Sequence, residues 1–125
     1  MKIKQVQKKI KKTMELYIYP NQKDPTQENL NSLREIIVKS LRDDAVTWEK
    51  LERTITIEKD KTLFLFEHKE KQYKNEPFYL WYSNNAVAVK FENNKDEGSK
   101  SMIIGMLTYY LRYNLRENIG RIEIK

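Results

Sequence analysis

Apolar residues recur at helical spacing in the first third of the chain. In residues 2 to 16 they return every three or four positions with lysines on the other faces, which predicts an amphipathic helix that stops before Pro20. A second helix is predicted to run to about Arg42, with Asp24 as its N-cap and Pro25 at its first position. The buried stripe of that helix is expected to consist of Leu30, Leu33, Ile37 and Leu41.

The middle of the chain is rich in β-branched and aromatic residues. Thr54 to Glu58 and Thr62 to His68 predict a hairpin that turns at residues 59 to 61. Residues 43 to 53 fit either a short helix or a strand, and the short helix is the favoured interpretation.

A second hairpin is predicted around Asn84 and Asn85, because asparagine tolerates the positive φ of a two-residue turn. The turn fixes a register in which one face is expected to be core: Phe78, Leu80, Tyr82, Val87, Val89 and Phe91. The other face carries Tyr79, Trp81 and Lys90 beside small residues. That face either stacks nucleic-acid bases or is covered by a helix.

The last part of the chain predicts a long helix followed by a strand. Ser99 is expected to cap the helix, which runs to about Asn118 with Gly120 as its C-terminal cap, and residues 121 to 125 alternate like an edge strand. Four helix residues share one face through their spacing: Tyr109, Arg112, Tyr113 and Arg116. This face either binds nucleic acid or packs in the core, since the helix is apolar nearly all round.

The order of these elements predicts one α+β domain over residues 1 to 125. We expect a mainly antiparallel sheet of four or five strands, with N-terminal helices and a C-terminal helix packed on it. The length is typical of a single domain, and no repeat or linker interrupts it.

The net charge of +6 is confined to the start of the chain. The first twelve residues hold six lysines and no acid, whereas the other residues hold equal numbers of acids and bases. A segment this one-sided attracts polyanions. It predicts contacts with nucleic-acid phosphates through Lys4, Lys8, Lys11 and Lys12. The alternatives are an anionic membrane surface, which the lack of Trp and Phe in the stripe disfavours, and a solvated helix face.

Most catalytic groups are lacking. The chain has no cysteine, its one histidine is His68, and no phosphate loop or nucleophile elbow is present. We therefore expect no enzyme activity, metal or cofactor. No apolar run reaches the roughly 18 residues that span a bilayer, so a cytoplasmic protein without a membrane partner is expected. One enzymatic alternative remains, because some small ribonucleases cleave RNA with Arg, Lys and Tyr alone, and the order of elements resembles toxins of the RelE type.

The lysine-rich opening from Met1 to Lys8, and the β-rich stretch with Tyr79, Trp81 and Tyr82, resemble a group of plasmid proteins. These are the PUA-like regulators of sex-pheromone-responsive conjugative plasmids. The resemblance implies a barrel-like sheet, RNA binding and a role in limiting production of conjugation surface proteins.

The leading functional prediction is therefore a small RNA-binding regulator encoded on a mobile element, with a homodimer left open. Arg112 and Arg116 would assist the lysines with phosphates, and Tyr79, Trp81 or Tyr109 would stack on bases. The runner-up is a protein-binding inhibitor or accessory factor of a phage or plasmid, with an apolar surface patch. A ribonuclease is third.

Overall fold

The computed structural model describes most of the chain after the lysine-rich segment. The described residues are 14–44, 46–70, 72, 76–93 and 97–125. The helix predicted for residues 2 to 16 lies outside them except at its end, where the prediction is wrong: Leu16 begins a strand. Leu16 and Ile18 are fully buried while Tyr17 and Tyr19 are half-buried, which is the period of two of a strand.

The described elements are six strands, two α-helices and one 3-10 turn. In chain order they are β1 (Leu16–Pro20), α1 (Gln27–Asp43), β2 (Trp48–Ile57), β3 (Lys61–His68), β4 (Phe78–Ser83), β5 (Ala86–Phe91), α2 (Glu97–Asn114), the 3-10 turn (Arg116–Asn118) and β6 (Ile119–Ile124). The strands form one antiparallel sheet in the order β2-β3-β4-β5-β1-β6. The α+β prediction is confirmed, but the sheet has six strands and is open, so a closed barrel is not confirmed.

Helix α1 begins with a capping box at Thr26. The Thr26 hydroxyl accepts the backbone N–H of Asn29 at 3.1 Å, and the Asn29 side chain accepts the Thr26 N–H at 2.9 Å. The prediction of Asp24 as the cap is therefore wrong, and Pro25 lies before the helix. The predicted stripe is confirmed, since its four residues are the buried ones of α1: Leu30, Leu33, Ile37 and Leu41.

The short helix favoured for residues 43 to 53 is wrong, because β2 begins at Trp48. The indole of Trp48 is fully buried and makes edge contacts with the rings of His68, at 5.2 Å, and Phe78, at 5.6 Å. These partners lie far along the chain. Tertiary packing therefore decides a segment whose local pattern is ambiguous.

Both predicted hairpins are confirmed. The first turns at residues 58 to 60, one residue earlier than the predicted turn at 59 to 61, and Glu58 has a φ of 50°. In the second, Phe78 pairs with Phe91 and Ser83 with Ala86, and both turn asparagines have positive φ.

The sheet has a weak junction between β3 and β4. The two strands pair only at Phe66 and Phe78. Beyond that pair, the Leu80 carbonyl of β4 accepts a hydrogen bond from the Nε of Arg34 on α1, at 2.7 Å. The β2–β3 hairpin and the other four strands therefore share little backbone pairing.

The core lies between the two α-helices and one face of the sheet. One cluster joins helix residues and the buried strand residues Leu16 and Ile18. Its helix members include Leu33, Ile37 and Leu41 of α1 and Ile103, Ile104 and Leu107 of α2. No described helix covers the opposite sheet face.

The C-terminal elements differ from the predicted long helix. Helix α2 starts at Glu97, before Ser99, and ends at Asn114, and a 3-10 turn then leads into β6. Gly120 is a strand residue rather than a helix cap. A side chain at Gly120 would collide with the backbone carbonyl of Pro20, so the close approach of β1 and β6 requires glycine.

Two alanine substitutions test this close approach. We expect Gly120→Ala to lower the free energy of unfolding by about 1–3 kcal/mol, because the backbone at Pro20 must move to make room for the methyl group. Gly105→Ala is the matched control, since a methyl group there meets nothing within 4 Å. It lies within α2, so it should raise stability by about 0.5–1 kcal/mol. Urea unfolding measures both, and equal effects would contradict the packing at Gly120.

Stability should also depend on pH through His68. Its Nδ1 accepts the backbone N–H of Glu70 at 2.9 Å. Burial lowers the pKa of His68, against smaller opposing effects of Glu70 and Asp44. Folding thus favours the neutral ring. The neutral ring contributes its full stability above about pH 6.5, which is the pKa of an unfolded histidine. That stability is lost as the pH falls from there through the lower pKa of the folded state. Urea unfolding at pH 7.5 and 5.5 should show a smaller loss for His68→Gln than for the unsubstituted protein; equal losses would rule out His68 as the titrating group.

Candidate nucleic-acid interface

The side of the sheet that no described helix covers, here called the open face, carries aromatic and charged side chains from four strands. Because residues paired across strands share a face, the register brings together Tyr17, Tyr19, Tyr79, Trp81, Lys90, Arg121 and Glu123. The alternation that buries Leu16 and Ile18 in the core places the two β1 tyrosines on this side.

Cations lie over both β1 tyrosines. The Arg121 guanidinium is 3.9 Å from the ring centre of Tyr19, and the Lys125 ammonium is 5.0 Å from that of Tyr17. Glu123 holds both cations, through contacts of 2.9 Å to Arg121 and 3.3 Å to Lys125. The Tyr19 hydroxyl also donates to Glu123 at 3.2 Å. The group is therefore a network centred on one carboxylate.

The charge states of this network follow from its contacts. The hydrogen bond from Arg121 lowers the pKa of Glu123, and bonding to Glu123 raises the pKa of Arg121 and of Lys125. The pKa of Tyr17 is raised, chiefly by its hydrogen bond to Glu15. At neutral pH the open face therefore presents a neutral Tyr17 ring beside the ionised side chains of Arg121 and Lys125.

A cleft of about 310 Å³ adjoins Tyr19, where the β4–β5 turn approaches the loop after β1. Three cations line it: Lys23, Arg121 and Lys125. Asn84 and Asn85 add amide groups, and none of the described lining residues is acidic. This basic cleft has the charge and the donors that a phosphate group needs.

The predicted residues Tyr79 and Lys90 lie on the open face as direct cross-strand partners. Burial and then Glu15 raise the pKa of Tyr79, and Lys90 lies 3.7 Å from the Glu15 carboxylate. Trp81 belongs to the same face, but its Nε1 donates to Glu58 at 3.2 Å. Trp81 is therefore held by the β2–β3 turn.

Tyr109 and Arg112 lie elsewhere, on helix α2. Tyr109 and Tyr113 are 72% and 75% exposed and stack on each other, with ring centres 6.1 Å apart. An apolar groove of about 360 Å³ runs beside Tyr109 and Met106. Because α2 packs on the core face, the structure does not bring this α2 surface together with the open face.

Arg116 corrects the prediction of a four-residue helix face. It lies in the 3-10 turn beyond the end of α2, so helical spacing does not carry through to it. Tyr109, Arg112 and Tyr113 remain on α2. Lys4, Lys8, Lys11 and Lys12 lie outside the described residues; in the sequence, Lys12 precedes Met14 by two positions.

Sequence reasoning missed the residues at the centre of the interface: Tyr17, Tyr19, Lys23, Arg121 and Lys125. The available signal was the alternation of apolar residues and tyrosines in Leu16–Pro20, which was interpreted as the end of a helix. The edge strand near residues 121 to 125 was predicted, but the sequence did not identify β1 as its neighbour.

No protein-family model matches this chain, and no curated protein or solved structure matches it significantly. Within the described ranges, no group of three or more His, Asp or Glu side chains is placed to hold a metal ion. None of the helices in that part of the chain is long and apolar enough to cross a membrane.

Proposed function

We propose that this protein is a regulator that binds single-stranded RNA through the open face and the basic cleft. The observation that carries the proposal is that Arg121 and Lys125 lie over the two β1 tyrosines and also line a cleft, together with Lys23 and with no described acid. Single strands are favoured because their bases can be splayed onto aromatic side chains.

The cleft would hold backbone phosphates. Arg121 offers a planar fork of donors to phosphate oxygens, and Lys23 and Lys125 add point charges. A phosphate would compete with Glu123 for both cations, because Glu123 contacts each of them. The carboxylate keeps the cations in place until the ligand arrives.

The tyrosine rings would stack on bases. Tyr17 and Tyr19 are half-buried, so their rings are held in place while part of each stays accessible. Tyr79 and Lys90 extend the same surface onto β4 and β5. Stacking of this kind tolerates any base and contributes about 1–3 kcal/mol per base.

The lysine-rich segment fits this proposal because it joins the chain next to the open face. It ends two residues before Met14, and Glu15 contacts Lys90. Its charges would add salt-dependent affinity. The resemblance to plasmid regulators supports a cytoplasmic protein of a mobile element that limits expression of conjugation or surface-protein genes.

Binding to a labelled single-stranded RNA, measured by fluorescence anisotropy over a range of salt, tests the proposal. We expect the combined substitutions Lys23→Gln, Arg121→Gln and Lys125→Gln to weaken binding at least about tenfold and flatten the log–log salt slope by about 2. A matched control replaces three exposed cations elsewhere by Gln: Lys39, Arg42 and Lys50. Equal losses in both triple variants would contradict a localised site.

The same samples separate binding from cleavage. The basic cleft also holds the Arg, Lys and Tyr groups that a metal-independent ribonuclease needs. If the RNA stays intact on a denaturing gel in the presence of a chelator, binding alone is supported; shortening of the RNA would favour the ribonuclease alternative.

The α2 surface favours a second candidate, a protein-binding accessory factor. Tyr109 and Tyr113 are exposed beside an apolar groove, with Arg112 on the same helix, and Tyr and Arg are frequent anchors at protein interfaces. Met102 adds a half-exposed apolar side chain.

The Tyr109→Ser, Tyr113→Ser double variant tests this second candidate. In affinity capture from host lysate, a protein partner retained by the unsubstituted chain should be lost by this variant, while RNA affinity stays the same. The control variant Glu28→Ser, Glu35→Ser changes exposed residues of α1 and should retain the partner. Loss of RNA affinity in the tyrosine variant would instead place RNA on α2.

A further inference from the structure

Strand β6 is one edge of the sheet, and its outer backbone groups have no strand partner among the described residues. The N–H and C=O of Lys125 both bond to Glu15 of the neighbouring chain segment, at 2.9 and 2.8 Å. Because this direction alternates along a strand, the backbone groups of Ile124 and Ile122 point away from β1. An edge of this kind is a template for another strand.

The charges of β6 are complementary to themselves in one antiparallel register. When two copies of β6 are centred on Ile122, each Arg121 lies opposite Glu123 of the other copy, on the open-face side. A shift of one residue in either direction would place a residue whose backbone groups point outward opposite one whose groups point inward to β1. The two could not exchange hydrogen bonds. A shift of two places Arg121 opposite Arg121 or Glu123 opposite Glu123, which is unfavourable.

We propose that two copies of this protein associate by antiparallel pairing of their β6 strands, centred on Ile122. The pairing is twofold symmetric, as expected for a homodimer interface. Ile124, which is 53% exposed, would lie opposite Gly120 of the other copy, where no side chain obstructs it. The outward N–H of Ile122 in each copy would donate to the outward C=O of Ile122 in the other copy.

The dimer has a consequence for the proposed RNA site, although it does not depend on that site. β6 carries Arg121, and Lys125 follows it, so the two basic clefts would lie on either side of the twofold axis. The two open faces would form one continuous surface across the joined sheets. A single strand of RNA could then contact both copies, which raises its overall affinity.

Sedimentation velocity over a wide range of protein concentration, without RNA, tests the dimer directly. The unsubstituted protein should dimerise. The variants Arg121→Glu and Glu123→Arg should each weaken dimerisation about tenfold or more, because like charges then oppose each other at two symmetric positions. An equimolar mixture of the two variants should form a heterodimer, since acidic positions of one copy then oppose basic positions of the other.

Circular dichroism checks that each variant is folded. If either charge variant is unfolded, a variant that changes the backbone of β6 provides a second test. Ile124→Pro removes an outward N–H that β1 does not use, so it should weaken dimerisation more than Ile124→Ala does. A protein that stays monomeric throughout would overturn the proposal. So would a dimer that neither charge variant weakens. In either case RNA binding by the monomer remains a separate measurement.

Discussion

The packing of β1 between β5 and β6 is the interaction on which the rest of the structure depends. Five residues long, this strand buries Leu16 and Ile18 completely and joins the end of the chain to the middle of the sheet. Because side chains alternate along a strand, burying those two residues commits Tyr17 and Tyr19 to the other side. A shift of one residue in register would exchange the two pairs and expose the core.

This constraint explains why much of the fold could be predicted, whereas the prediction of the site included its β4 and β5 residues and missed those on β1 and β6. The Asn84–Asn85 turn is local, so the register of β4 and β5, and with it the shared face of Tyr79, Trp81 and Lys90, followed from the sequence. The contact between the Tyr19 hydroxyl and Glu123 joins residues 104 positions apart. No periodicity within either segment specifies that distant partner.

The failed helix predictions have the same physical origin. Trp48 fits either kind of element locally, and burial against His68 and Phe78 selects the strand. The last helix ends at Asn114 because Leu115 leaves the helical conformation and Ile119 must be buried beside Pro20. Short segments with mixed patterns are therefore decided by distant contacts, whereas the regular stripe of α1 was read correctly.

The β2–β3 hairpin has a single residue pair with β4, so side chains make most of its contacts with the rest of the protein. Its attachments are the fully buried rings of Trp48 and Phe66 in the core, the ion pair between Arg53 and Glu92, and the hydrogen bond from Trp81 to Glu58. Its own backbone bonds are local in sequence, but detaching the hairpin would expose these two buried rings. Sub-global opening of this kind costs less free energy than complete unfolding. Amide protons near the exposed turn at residues 58 to 60 would then exchange earlier than those beside Trp48 and Phe66.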